Sequence, residues 1–212
     1  MKNVRVFYKK SGRMKFVSHL DMNRFMSRII MRADIPIWYT EGFNPHPYIT
    51  FALPLSLGFE SDYEIMDIKV DDDTVTYDGI CEKMSSVCPE YITVINAAEP
   101  VLKTGKVAFA EFCIKFEDIS TAENFYDFLC RDSVICRKTT KRGNIKETDI
   151  IPKIMKKEID NRTVTVVLPA GSEDNLNPTL ILDAFFESTG EKQKCYGITR
   201  TKILDADMNM FK

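Results

Sequence analysis

Val4, Val6 and Tyr8 alternate with Lys2, Arg5 and Lys9, the two-residue period of a half-buried strand. Ser11-Gly12 marks a turn. The period then changes. Met22, Phe25, Met26, Ile29, Ile30 and Ala33 recur at helical spacing and predict one buried stripe. Ser18 is placed to cap this helix, Asp21 lies near its positive end, and Pro36 predicts a stop near Asp34. Ile37 to Tyr39 reads as a second strand, and 42–61 as a long connection punctuated by Gly and Pro. Tyr63 to Val70 predicts a third strand, Asp78 to Cys88 a second helix stopped by Pro89, and Tyr91 to Ile95 a fourth strand.

The second half repeats this pattern. Val107 to Phe116 alternates as a strand, Ser120 with Glu123 suggests a capping box for a helix through Leu129, and Val134 to Cys136 is a strand. Lys138 to Lys146 is a basic turn, Val164 to Leu168 a strand, Pro178 to Phe186 a helix, and Tyr196 to Ile203 the last strand. The expected class is α+β: two tandem ferredoxin-like βαββαβ units with mainly antiparallel sheets, at 1–99 and 105–212. The same elements can also build one continuous α+β sheet.

Composition narrows the function. The 212 residues are 44% apolar and 28% charged with a net charge of −2, as in an ordinary globular chain. No window approaches a membrane span, and the N-terminus lacks the apolar core of a secretory signal, so the expected location is cytoplasmic. The near-neutral total hides an asymmetry. Residues 1–34 hold nine Lys and Arg against two Asp, whereas 35–100 hold twelve Asp and Glu against two Lys. Arg24, Arg28 and Arg32 follow one another at four-residue steps on one helix face. They fit an anionic partner, a solvated face, or ion pairs with the acidic stretch, where Glu60, Asp62 and Glu64 alternate along one strand face. A second basic cluster, Arg137, Lys138, Lys141, Arg142 and Lys146, sits on an expected hairpin. The six cysteines form neither a CxxC knuckle nor a CxxxCxxC run and read as small core residues or inert thiols.

Both histidines have unusual surroundings. His19 begins the first helix, and His46 stands between Pro45 and Pro47, which restrict its backbone. If the two segments meet, His19 and His46 join Asp21, Tyr39, Glu41 and Asn44 in one pocket. Its chemistry would be binding of a polar group, proton transfer, or metal ligation. The strip Phe51–Gly58 is apolar and proline-broken, suited to core or sheet-edge packing or to a docking face.

FVSHLD at 16–21, Arg32-Ala33, YTEGFNPHP at 39–47, FALPL at 51–55 and Gly58 together resemble the signature of the radical-SAM-linked protein family, a bacterial domain of unknown function. Lys146–Ile150 and Arg200-Thr201 look like its later landmarks. The resemblance implies a domain that occurs alone or behind a cobalamin-binding radical SAM enzyme. It therefore implies a radical SAM partner that carries the iron–sulfur cluster, SAM and cobalamin, with no cofactor on this chain. The expected function is an accessory protein that binds or presents an anionic substrate, RNA among the candidates. Ser18, His19, Asp21, Arg24, Arg28, Arg32, Tyr39, Glu41, Asn44 and His46 are the expected substrate-binding residues. Two alternatives stand beside it: an RNA- or nucleotide-directed enzyme using His19, His46 or Glu41 in catalysis, and a structural docking protein.

Overall fold

The structure, a computed structural model, describes the chain outside residues 140–144 and 191–194, and outside the side chains of 137–146 and 191–196. It is a mixed α+β fold with mostly antiparallel strand pairing. The chain divides into two compact units, Met1–Val107 with Met210–Lys212, and Ala108–Asn209.

In the first unit the order is β1 (Lys2–Lys10), α1 (His19–Arg32), β2 (Ile49–Phe51), β3 (Glu60–Val70), α2 (Tyr77–Val87) and β4 (Ile92–Ala98). β1 lies between β3 and β4, and β2 flanks β3. Met22, Met26, Ile29 and Ile30 of α1 pack on Val4, Val6, Ile68 and Val70 of the sheet, with Ile80 and Met84 of α2 in the same core. The periodic stripe is thus the buried one, and the flanking arginines are left in water. Ser18 caps α1 by accepting the Asp21 N–H at 3.2 Å. The helix ends where Asp34 takes a left-handed backbone, φ 50°.

Three expectations change in this unit. Ile37 and Tyr39 make only isolated bridges, to Val70 and Pro47, and the second strand is Ile49–Phe51. Glu60, Asp62 and Glu64 do not share one environment: a register shift between Tyr8 and Lys10 pairs Tyr8 with Glu64 but Lys10 with Ser61. Glu64 is buried and Asp62 exposed. The third change is Arg5, whose alternation with Val4 and Val6 suggested a water-facing side chain. It is 0% exposed. Its Nε and Nη2 donate to the two Asp67 carboxylate oxygens at 2.7 Å each, and Nη2 also donates to Leu102 O at 2.8 Å. The guanidinium lies 4.9 Å from the Phe211 ring centroid.

In the second unit β5 (Phe109–Phe116), α3 (Ile119–Leu129), β6 (Ile135–Thr139), β7 (Ile145–Asp149), β8 (Lys156–Asp160), β9 (Thr163–Pro169), α4 (Pro178–Thr189) and β10 (Cys195–Leu204) follow in order. The sheet runs β10-β5-β9-β8, and β6 pairs only with β7. The strand expected at Val134–Cys136 therefore belongs to a separate hairpin, and the sheet position goes to β8. Its sequence, KKEID, reads poorly as a strand because an edge strand exposes every other residue and favours charge. Asp118, not Ser120, caps α3, accepting the Thr121 N–H at 2.7 Å. Rings of Phe116, Phe125, Phe185 and Phe128 stack in sequence at centroid distances of 5.1, 5.2 and 5.5 Å.

Burial pushes the Cys88 thiol up to about 11. It also raises Cys136, where Glu187, Asp149 and Asp183 add to the effect. Little reactive thiolate exists on either at neutral pH. Iodoacetamide at pH 8 is therefore expected to label exposed Cys130 first, and Cys88 and Cys136 only after urea is added, as peptide mass mapping would read. Arg5→Ala, which strands the Asp67 carboxylate, should cost about 3–5 kcal/mol in urea unfolding. Exchanging both partners for apolar residues should cost clearly less.

Candidate functional site

The N-terminus of α1 organises the first group of polar residues. The Ser18 hydroxyl donates to Asp21 Oδ2 at 2.8 Å, and Arg24 Nη1 reaches Asp21 Oδ1 at 3.4 Å. Ser18, Asp21 and Arg24 thus form one local network that answers the helix's own unpaired N–H groups. Arg28 and Arg32 are exposed, and neither has a hydrogen-bond or ion-pair partner among the described residues. The acidic stretch is engaged elsewhere. Asp62 pairs with Lys9 at 3.4 Å, Glu60 with Lys15 at 3.8 Å, Asp67 with Arg5, and Asp73 with the N-terminal amine at 3.1 Å. Among the described residues, ion pairs with the acidic stretch, one of the open readings of the arginine face, form at neither Arg28 nor Arg32.

His19 sits in a different setting. Its ring meets Phe51 edge-on at 5.2 Å. It also borders a cavity of about 10 Å³ lined by Tyr8, Lys10, Met22, Phe51, Leu53, Leu55 and Glu64, room for a single water. Lys10 and Glu64 are each 3% exposed there, and Lys10 Nζ donates to Val17 O at 3.1 Å. Leu53 and Leu55 of the apolar strip face this cavity, whereas Leu57 is 64% exposed.

His46 belongs to a narrow arch. The Tyr48 N–H donates to Trp38 O at 3.0 Å, and the Thr40 N–H to His46 O at 2.9 Å, so the two limbs of 38–48 are zipped together. The Lys69 ammonium lies 4.9 Å from the Trp38 ring centroid and 4.7 Å from that of Tyr48, which pins the base of the arch. At the top, His46 Nδ1 lies 3.2 Å from Asn44 O and 3.0 Å from Thr40 Oγ1. The two contacts hold the ring through Nδ1, and Nε2 has no partner among the described residues. Gly42, at φ +122°, makes a bend that a side chain would resist. Glu41, Phe43 and Asn44 are exposed at the tip; neither the Glu41 carboxylate nor the Asn44 amide has a partner among the described residues. Tyr39 is 43% exposed.

No hydrogen bond or ring contact joins His19 to His46. Exposed His19 borders the small recess, and exposed His46 belongs to the arch. Among the described residues no three His, Cys, Asp or Glu side chains are grouped to hold a metal ion. The basic cluster at Arg137–Lys146 lies outside the described side chains. Phe43, exposed at the tip, is not among the residues expected at the site. Its one signal was an aromatic placed between Gly42 and Asn44, where a core residue is not expected.

No curated protein matches this chain. Among solved structures, one chain from the "Crystal Structure of a Cbf5-Nop10-Gar1 Complex" is similar at 10% identity and a TM-score of 0.48. The similarity covers 93% of this chain and 48% of that one, so this chain spans about half its length. A likeness at that level carries nothing about function. The model of the family described as "Uncharacterized protein conserved in bacteria (DUF2344)" matches residues 3–178, and the chain belongs to that family.

Proposed function

We propose that this chain is an accessory protein of a radical SAM enzyme, and that it binds or presents an anionic substrate, with RNA as the leading class. The observation that carries the binding role is the free arginine pair of α1. Three like charges at four-residue steps cost an isolated helix a few tenths of a kcal/mol per pair. Among the described residues, the protein's own carboxylates relieve that cost only at Arg24. An anion lying along the helix would relieve it at Arg28 and Arg32. Guanidinium forks suit phosphate oxygens, which they can grip through two parallel hydrogen bonds. The radical SAM partner follows from the sequence resemblance. The cluster-binding cysteines would belong to that partner, because this chain has no CxxxCxxC run.

A second reading, an RNA- or nucleotide-directed enzyme with His46 as general base, is favoured by one feature. The exposed His46 ring is held at Nδ1 by Thr40 and Asn44, and its Nε2 has no partner among the described residues, the placement a general base needs. Among the described residues His19 has no comparable orienting partner, only the Phe51 ring. His46→Gln separates the readings: the enzyme predicts loss of turnover, while the accessory protein predicts no turnover by either form.

Fluorescence anisotropy with a labelled RNA strand tests the leading reading. Affinity should fall steeply as salt rises. Arg28→Gln with Arg32→Gln should flatten the slope of log K against log salt by about 1.4, at 0.7 per phosphate contact on a single strand. Both residues are exposed, so the melting temperature should hold. An unchanged slope would overturn the role given to α1. Absence of the radical SAM protein from affinity-purified material would overturn the accessory role.

A further inference from the structure

We infer that the tip of the 38–48 arch holds an unpaired nucleobase stacked on Phe43. The inference deepens the reading above and rests on it for the phosphate contacts alone.

Phe43 is fully exposed, the most exposed large apolar side chain among the described residues. A lone ring in water is no protein-sized interface, which needs an apolar patch of many residues. The groups around it are polar. Glu41 offers two acceptor oxygens, and the Asn44 amide offers both a donor and an acceptor. None of these is used within the described structure. An aromatic face beside unpaired acceptor and donor groups is what an unstacked base needs: a surface for its ring and partners for its hydrogen-bonding edge. A base inside a duplex exposes neither its faces nor its pairing edge, so the ligand is unpaired.

The frame is built before the ligand arrives. Backbone pairing of Thr40 with His46 and of Tyr48 with Trp38 closes the arch, His46 Nδ1 ties down Asn44 O, and Lys69 holds the base. Little ordering remains to oppose binding. The arch belongs to the same unit as the arginine helix. The segment that carries it starts at the C-terminal end of α1, where the Ile35 N–H donates to Ile30 O at 3.3 Å. It returns to the N-terminal end of α1, where Phe51 meets His19 at 5.2 Å. A strand whose phosphates lie on Arg28 and Arg32 therefore has a stacking platform within the same unit.

The test uses the full chain and anisotropy with four probes: a labelled 12-nucleotide RNA, the same RNA as a duplex, an abasic strand with the same phosphates, and nucleoside monophosphates as competitors. Phe43→Ala should weaken single-strand binding roughly tenfold, and its salt slope should match the wild type, since no phosphate contact is lost. Phe43→Trp should retain binding. Duplex and abasic probes should bind the wild type no better than single-stranded RNA binds Phe43→Ala. Displacement by micromolar monophosphates would identify a free nucleotide as the source of the base, and its absence an RNA strand; the base site holds in both cases. Wild-type affinity in Phe43→Ala, or equal binding of the abasic strand, would overturn the inference while leaving the α1 reading intact. Loss of the radical SAM partner in Phe43→Ala with RNA binding unchanged would overturn it in favour of a protein contact. A wild-type chain that retains no RNA would remove the α1 reading; monophosphate binding that depends on Phe43 would then uphold the base site, and its absence would end it.

Discussion

The first unit is organised around a charge placed where water cannot reach it. Arg5 lies in the middle of β1 with no exposed surface, a costly burial unless its donors are answered, which among the described residues holds for all but those on Nη1. Asp67 on β3 answers two of them, and the Leu102 carbonyl a further N–H. Phe211 covers the guanidinium from the far end of the chain, and its carbonyl accepts the Tyr63 hydroxyl at 3.0 Å. Lys212 O accepts the Leu102 N–H at 3.0 Å. One buried cation thus gathers two strands, the segment after β4 and the C-terminal residues. This explains why Met210–Lys212 fold with the first unit although the chain between them and Val107 forms the second.

The same electrostatic economy shapes the candidate site. Glu60, Asp62, Asp67 and Asp73 meet Lys15, Lys9, Arg5 and the N-terminal amine, so these four carboxylates are engaged away from the α1 arginines. Arg28 and Arg32 of α1 stay exposed and without an ion pair among the described residues. A net charge near zero is therefore compatible with a local anion-binding face, because pairing is decided by sheet register and not by totals. The apolar side of α1 adds to this by fixing the helix roll: with Met22, Met26, Ile29 and Ile30 against the sheet, Arg28 and Arg32 face solvent.

The arch shows how a short polar sequence becomes rigid. It has no helix and little regular strand, yet its limbs are paired, its base is clamped between a lysine and two rings, and its top is tied by an imidazole. Two prolines beside His46 reduce the conformations lost on ordering. Side chains carried on such a frame can meet a ligand without being reorganised.

Helices and most strands of this protein were legible along the chain because their signals are local. The stripe of α1, its Ser18 cap and the stop near Asp34 depend on residues within four positions of one another. The arginine face was legible for the same reason. Where the answer lay with distant partners, local pattern failed. Arg5 looked like its neighbours Lys2 and Lys9, and only Asp67, 62 residues away, makes its burial tolerable. β8 looked like a charged loop until β9 paired with it, and β2 replaced Ile37–Tyr39 because β3 chose its register with Ile49–Phe51. The two histidines drew notice by composition, but tertiary packing gave each its own surroundings and left Phe43 outside the core. Periodicity records which side of an element is apolar. Whether a polar group is buried, or an apolar one left in water, is settled by what folds against it.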